Sequence, residues 1–275
     1  MEYNNKEIGI IKEIINELEK FRKEIIKIDY IHNKEDFFYV MKKFRKYLVK
    51  ISVWNNFETF YHSKYYKFYK TFFTDIHEYY LRSLESMQAL SVMTQWIHTF
   101  DNISDFLDTD LMKESFARKW KELWSVNYKN VKNFIFAWCW PFPETMLYVY
   151  ENFEIENILW LDYNHEAIYM AWEMANGLWL TSIWFKQIDA KDYDYSDADV
   201  VSIPLFVSIK DEILNKIEKD WKDSVQILVT VPKWFLNLIY EWIWEFNNRL
   251  NIVFREDLST EFTTQEIIKL EKYNF

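Results

Sequence analysis

Only two glycines, Gly9 and Gly177, serve a chain of 275 residues, while tryptophan occurs 14 times. At the usual share of ~7%, a chain of this length carries about 19 glycines. A backbone this poor in glycine has almost no residue that enters left-handed conformations without strain, so its turns, helix ends and tight loops must be built some other way. The tryptophans stand where such features belong: Trp138-Cys139-Trp140-Pro141, Asn176-Gly177-Leu178-Trp179 and Pro232-Lys233-Trp234. An aromatic core or a tryptophan-rich interface is one explanation of the excess. The other is that many of these codons are UGA, which some bacterial lineages read as glycine and others as tryptophan. The positions favour glycine at turns and caps. Trp96, Trp120 and Trp124 lie within helical stretches and suit tryptophan as written.

Half of the residues are hydrophobic and 28% are charged, the balance of a globular chain long enough to bury a substantial core. A formal net charge of −10 argues against a nucleic-acid partner, because phosphates are repelled on average. Basic stretches such as Lys42-Lys43-Phe44-Arg45-Lys46 are solvated helix faces. The single cysteine, Cys139, permits no internal disulfide and suits a reducing cytoplasm. The five histidines show no metal-ligand spacing, so no protein-bound metal is expected. The opening residues predict no signal peptide, and no apolar run approaches the ~18 residues that span a bilayer. A cytoplasmic location without membrane association is the expectation.

The chain has two grammars. Residues 1–128 contain no proline, and apolar residues recur at helical spacing: Ile8, Ile11, Ile15 and Leu18 form one stripe, and Phe38, Met41, Phe44 and Leu48 another. Further helical stretches run through Tyr61–Phe73, Ile76–Ile97 and Leu111–Trp124, with breaks at Asn55-Asn56 and Asp101–Asp110. An all-helical domain over 1–128 follows. Across 129–275, short apolar runs alternate with helices. Strands are predicted at Asn133–Ala137, Ile158–Leu161, Phe185–Ile188, Val200–Leu205 and Val225–Val231. Helices are predicted at Glu144–Asn152, His165–Leu178, Lys210–Lys219 and Phe235–Phe246. This alternation predicts an α/β fold with a parallel sheet covered on both faces. Asn251–Arg255 and Glu266–Tyr273 read as a final strand pair. A terminal antiparallel pair on a parallel sheet resembles the ending of the Rossmann-like class I S-adenosylmethionine (SAM) methyltransferase fold.

The first strand leads into Ala137-Trp138-Cys139-Trp140-Pro141-Phe142-Pro143-Glu144. With glycine at 138 and 140, this becomes a small-residue turn that lets a nucleotide cofactor approach bare main chain at a helix N-terminus. Pro143 suits the first helical turn. About twenty residues on, the second strand ends at Asp162, with Tyr163 beside it. An acid there is either the partner of ribose hydroxyls or a cap for the helix near His165. The third strand ends Ile188-Asp189-Ala190, where an acidic residue commonly faces an adenine ring. The fourth, Asp199–Leu205, is apolar enough for burial on both faces, and Pro204 at its end would line the same crevice.

Several separated segments between Asn133 and Tyr273 resemble the nicotianamine synthase family and its bacterial relatives that make opine-type metallophores. Trp138-Cys139-Trp140-Pro141-Phe142-Pro143 is similar to the family's Gly-Ser-Gly-Pro-Leu-Pro loop, and Asp162 stands where the family has its ribose-binding acid. Asp199-Val200-Val201 is similar to its Asp-Val-Val strand. Lys233-Trp234-Phe235-Leu236-Asn237-Leu238-Ile239-Tyr240 resembles its pattern of glycine, apolar stretch and Leu-Tyr-Pro, with Glu241 in place of the proline. The resemblance implies that SAM is the substrate and that its 3-amino-3-carboxypropyl (aminobutyrate) group passes to a small-molecule amine acceptor, releasing methylthioadenosine (MTA). It also implies a helical-domain glutamate that receives the amine's proton. Glu85, in Tyr79-Tyr80-Leu81-Arg82-Ser83-Leu84-Glu85, is the candidate, with Tyr80, Tyr79 and His77 as candidate substrate contacts. A solvated carboxylate or a partner for Arg82 is the plainer role for Glu85, and core packing the plainer role for the aromatics. An ordinary SAM-dependent methyltransferase and a non-catalytic SAM-binding module stay open as alternatives, and the oligomeric state is open.

Overall fold

The computed structural model describes residues 5–52, 54–96, 118–138, 144–177, 180–220, 225–241, 243, 250–260 and 264–272. The chain forms two compact units. One comprises Met1–Leu81, Pro232–Trp242 and Ser259–Glu266; the other comprises Arg82–Val231, Ile243–Leu258 and Ile267–Phe275.

In the first unit, α1 (Asn5–Lys27), α2 (Lys34–Ile51), α3 (Trp54–Tyr61) and the start of α4 (Tyr66–Trp96) bury an aromatic core. Phe44 stacks on Phe73 at 4.2 Å, and Phe57 and Phe60 lie 5.6 and 5.5 Å from Phe235. The buried faces are rotated from the expected stripes. Ile14, Leu18 and Ile25 are buried on α1, while Ile8 is 41% exposed; on α2, Phe37 and Val40 join Met41, Phe44 and Leu48, leaving Phe38 half-buried. Asn55 and Asn56 lie inside α3 and break nothing. α2 instead ends at Ser52, whose hydroxyl donates to the Leu48 carbonyl at 2.7 Å and so occupies an acceptor the helix end leaves open. The expected break at Asp101–Asp110 lies outside the described residues.

The expected helix Phe235–Phe246 is, in its described part, a short 3-10 turn over Trp234–Leu238. Side chains have taken the carbonyls an α-helix would use: Thr74 Oγ1 donates to Leu238 O at 3.3 Å, and Lys70 Nζ to Tyr240 O at 2.6 Å. Lys70 also pairs with Glu241 at 3.0 Å. Burial lowers the lysine's pKa, opposed by that carboxylate.

His77 belongs to this core. It is 1% exposed, its ring lies 4.9 Å from Tyr240 and 5.7 Å from Tyr80, and its Nε2 has no hydrogen-bond partner among the described residues. Burial, with the Arg45 and Lys70 charges in support, holds its pKa well below the ordinary 6.5. Below pH ~6.5 the unfolded chain therefore binds a proton that the folded chain refuses, and stability falls with acidification by up to about 1.4 kcal/mol per pH unit from this group. Urea unfolding between pH 7 and pH 5 is expected to show a smaller loss in His77→Phe than in the parent. Identical losses would show that His77 is not the acid-sensitive group.

The second unit holds a seven-stranded sheet in the order β3-β2-β1-β4-β5-β7-β6. Its strands are β1 (Asn133–Phe136), β2 (Asn157–Asp162), β3 (Ile183–Gln187), β4 (Val200–Ile203), β5 (Gln226–Pro232, whose last residue belongs to the first unit), β6 (Leu250–Asp257) and β7 (Gln265–Lys272, entering this unit at Ile267). β1 to β5 are parallel: Phe134 is in register with Ile158 on one side and Val200 on the other. Only residues 258–264 join β6 to β7, fewer than the dozen or so a parallel crossover needs, so that pair is antiparallel. Between the parallel strands run α5 (Glu144–Asn152), α6 (His165–Gly177) and α7 (Lys210–Asp220). Phe134, Phe136, Ile158, Trp160, Val200 and Leu228 share one core cluster.

Among the described tryptophans, most lie outside this core. Trp120, Trp124, Trp172 and Trp184 are 45–67% exposed. Trp160 is buried, yet among the described residues its indole N–H finds no acceptor, a defect worth about 1–3 kcal/mol. Trp234 takes φ +49°, a left-handed conformation that suits glycine. Meanwhile neither Gly9 nor Gly177 has positive φ, and a Cβ at either meets nothing within 4 Å. Among the described residues, the glycines lie where any residue fits and a tryptophan lies where glycine fits best. Trp179 lies outside them.

Candidate functional site

Because β1 to β4 are parallel, their carboxyl ends lie along one edge of the sheet. The order β3-β2-β1-β4 puts the switch of winding direction between β1 and β4, where crevices form in open α/β sheets. Six of the predicted residues lie at these strand ends: Trp138 after β1, Asp162 and Tyr163 at β2, Asp189 and Ala190 after β3, and Pro204 after β4.

At β1, the Ala137 N–H donates to Ser202 O at 2.9 Å and extends the ladder one residue beyond the strand. The next residue, Trp138, is half-buried and meets the ring of Tyr163 edge-on at 5.3 Å. Cys139, Trp140 and Pro141 lie outside the described residues.

Asp162 is 4% exposed, and its Oδ1 accepts the Asn164 N–H at 2.7 Å. Asn164 in turn accepts the Glu166 N–H at 2.9 Å, so Asn164 is the residue that caps α6. Asp162 fixes the turn one step earlier, which aims a carboxylate at the sheet edge while leaving the cap to its neighbour. The Ile188 N–H donates to Asp162 O at 2.9 Å and ties β3 to the same point.

Asp189 caps a 3-10 turn over Ala190–Asp192 by accepting the Lys191 N–H at 3.2 Å, and its carboxylate lies 3.4 Å from Lys191 Nζ. Asp189, then Glu212 at 3.7 Å, raises the pKa of that lysine. Ala190 is buried, and its carbonyl accepts the Tyr195 hydroxyl at 2.8 Å. Burial keeps that phenol protonated far above its usual range.

Pro204 is buried at the end of β4. The turn after it is held by Lys210, which is 1% exposed and donates through Nζ to Leu205 O at 2.7 Å and to Val207 O. A buried ammonium satisfied by carbonyls is a rigid brace. In sequence this brace shows only as a lysine that opens the helix after an apolar strand.

Arg82, which sequence spacing offers as a partner for Glu85, meets the residue that follows β2. Its Nη2 donates to the Tyr163 hydroxyl, and its guanidinium carbon lies 5.5 Å from that ring's centroid. Glu85 lies on α4 three residues further on, and its side chain is outside the described residues. Tyr80 lies in the first unit, 6% exposed, packed among Phe37, Phe38 and His77. Among the described residues, no cluster of three or more His, Cys, Asp or Glu side chains is placed to hold a metal, and no helix is long and apolar enough to cross a membrane.

No protein-family model and no curated protein sequence matches this chain. Solved structures do. The chain is similar to a glutamate-to-glutamine variant of MtNAS, a nicotianamine synthase, with TM-score 0.75 and 9% identity over 98% of this chain and 99% of that one. For the same variant in complex with S-adenosylmethionine, the values are 0.76 and 8% over 94% and 97%. For MtNAS in complex with MTA and tNA, they are 0.79 and 9% over 95% and 98%. At such identity the likeness is one of fold, and it runs nearly the full length of both proteins. The chain has the fold of MtNAS, with an α/β sheet of the class I SAM methyltransferase type.

Proposed function

We propose that this protein transfers the 3-amino-3-carboxypropyl group of SAM to a small amine or amino-acid acceptor and releases MTA. The observation that carries the proposal is the near-full-length likeness to MtNAS, whose solved complexes hold S-adenosylmethionine in one case and MTA with tNA in another. A methyltransferase sheet alone would not extend that likeness over the N-terminal helices. The strand-end residues support it. Asp162 suits ribose hydroxyls, Asp189 and Ala190 suit the adenine, and Trp138, Cys139, Trp140, Pro141, Tyr163 and Pro204 would border the remainder of the cofactor.

In this mechanism the acceptor amine attacks the carbon of the aminobutyrate chain next to the sulfonium. That C–S bond breaks, MTA leaves as a neutral thioether, and the amine loses one proton. An α-amino group has a pKa of ~7.7–8.0, so at neutral pH a proton acceptor is needed for most of the population. Glu85 takes that role in the proposal, with Tyr80 on the same helix. A product that chelates metals would give the enzyme a place in metallophore synthesis.

Incubation with SAM and amino-acid acceptors is expected to produce MTA, one molecule for each aminobutyrate group transferred. Accumulation of S-adenosylhomocysteine would instead assign methyl transfer. SAM binding without any turnover would leave only a binding module.

A further inference from the structure

We propose that Arg82 is the carboxylate-recognising residue of this site and receives the carboxylate of an α-amino acid on its guanidinium. The inference rests on SAM being the substrate. Arg82 is tied to the sheet edge by Tyr163, the residue after β2, through a hydrogen bond from Nη2 to the phenol oxygen and a cation–π contact at 5.5 Å. Tyr163 is itself anchored at the sheet edge, where its carbonyl accepts the Gln187 side chain at 3.4 Å. The guanidinium is thereby held beside the end of β2 by a hydroxyl and its ring.

The charges along this edge are divided. Carboxylates stand at the ends of β2 and β3, on Asp162 and Asp189, and suit groups that donate hydrogen bonds. Arg82 places a cation at the end of β2, against Tyr163. In the proposed reaction the small-molecule anions are α-amino-acid carboxylates: the one on the aminobutyrate group of SAM, and the one on an amino-acid acceptor. A guanidinium presents five N–H donors in a planar fork that matches a carboxylate in two parallel hydrogen bonds, which an ammonium cannot reproduce. An arginine already held by a hydroxyl and its ring loses little further freedom on binding, which favours this use of it.

Titration calorimetry of Arg82→Gln and Arg82→Lys with SAM and with MTA tests the proposal, both in the chain as written and in its W138G/W140G form. MTA lacks the aminobutyrate carboxylate. Weakening of SAM by about 10- to 100-fold with MTA unchanged would assign the carboxylate to SAM. Unchanged SAM affinity, with an acceptor KM raised similarly and no rise for the carboxamide form of that acceptor, would assign it to the acceptor. Arg82→Lys should recover only part of either loss. Equal weakening of SAM and MTA, movement of neither SAM affinity nor acceptor KM, or no binding of SAM and MTA in either parent form would overturn the proposal. Release of S-adenosylhomocysteine in place of MTA would refute the aminobutyrate transfer while leaving the comparison of SAM with MTA intact.

Discussion

Replacement of Trp138 and Trp140 by glycine is expected to tighten SAM binding by about 5- to 150-fold. Trp138 lies one residue beyond the extended β1 ladder, half-buried, with its indole against Tyr163 at the ends of β1 and β2. That is where a cofactor would have to approach the main chain. Moving a bulky side chain out of a packed position typically costs about 1–3 kcal/mol, and each 1.4 kcal/mol is a factor of ten in affinity. Calorimetry on the chain as written and on the W138G/W140G form decides the matter, since equal affinities would refute the steric argument. The coding DNA is an independent test: UGG at positions 138, 140 and 234 would end the case for reassigned UGA codons, whereas UGA would make glycine the native residue. Trp234 at φ +49° and the unpartnered indole N–H of Trp160 point the same way.

The second large effect is expected at Glu85. Glu85→Gln should lower the turnover number by about 10²- to 10⁴-fold, the usual contribution of a positioned general base, while SAM affinity stays within about twofold. The substitution keeps size and polarity and removes only the proton-accepting charge. Activity should recover partly as pH rises through ~8, where the acceptor amine deprotonates unaided. An unchanged turnover number at pH 7 would reduce Glu85 to a helix carboxylate.

Much of the sheet was legible because parallel strands buried on both faces are continuous apolar runs. Val200-Val201-Ser202-Ile203 and Ile227-Leu228-Val229 announce themselves locally, and so does the acid that ends β2. The segment after Pro232 was not legible in this way. Its apolar spacing reads as a helix, but a helix needs its carbonyls, and Thr74 and Lys70, more than 150 positions away in sequence, take two of them. The helical stripes were legible as stripes and not as faces, since which side of α1 is buried depends on what α3 and α2 bring against it.

The placement of Arg82 belongs to the same class. Sequence spacing offers it Glu85 on its own helix, and only the fold brings it to Tyr163, 81 positions on. Period and residue chemistry are local properties, so the chain alone determined its helical first part, its alternating second part and the acids at the strand ends. Partnership across long loops is settled only when a common core is buried, because the energy of closing those loops comes from that burial. Tertiary structure therefore decided that residues 232–242 and 259–266 join the helices of the first unit, that Asn164 and not Asp162 caps α6, and that the shortage of glycine is felt at Trp234, while Gly9 and Gly177 lie at positions open to other residues.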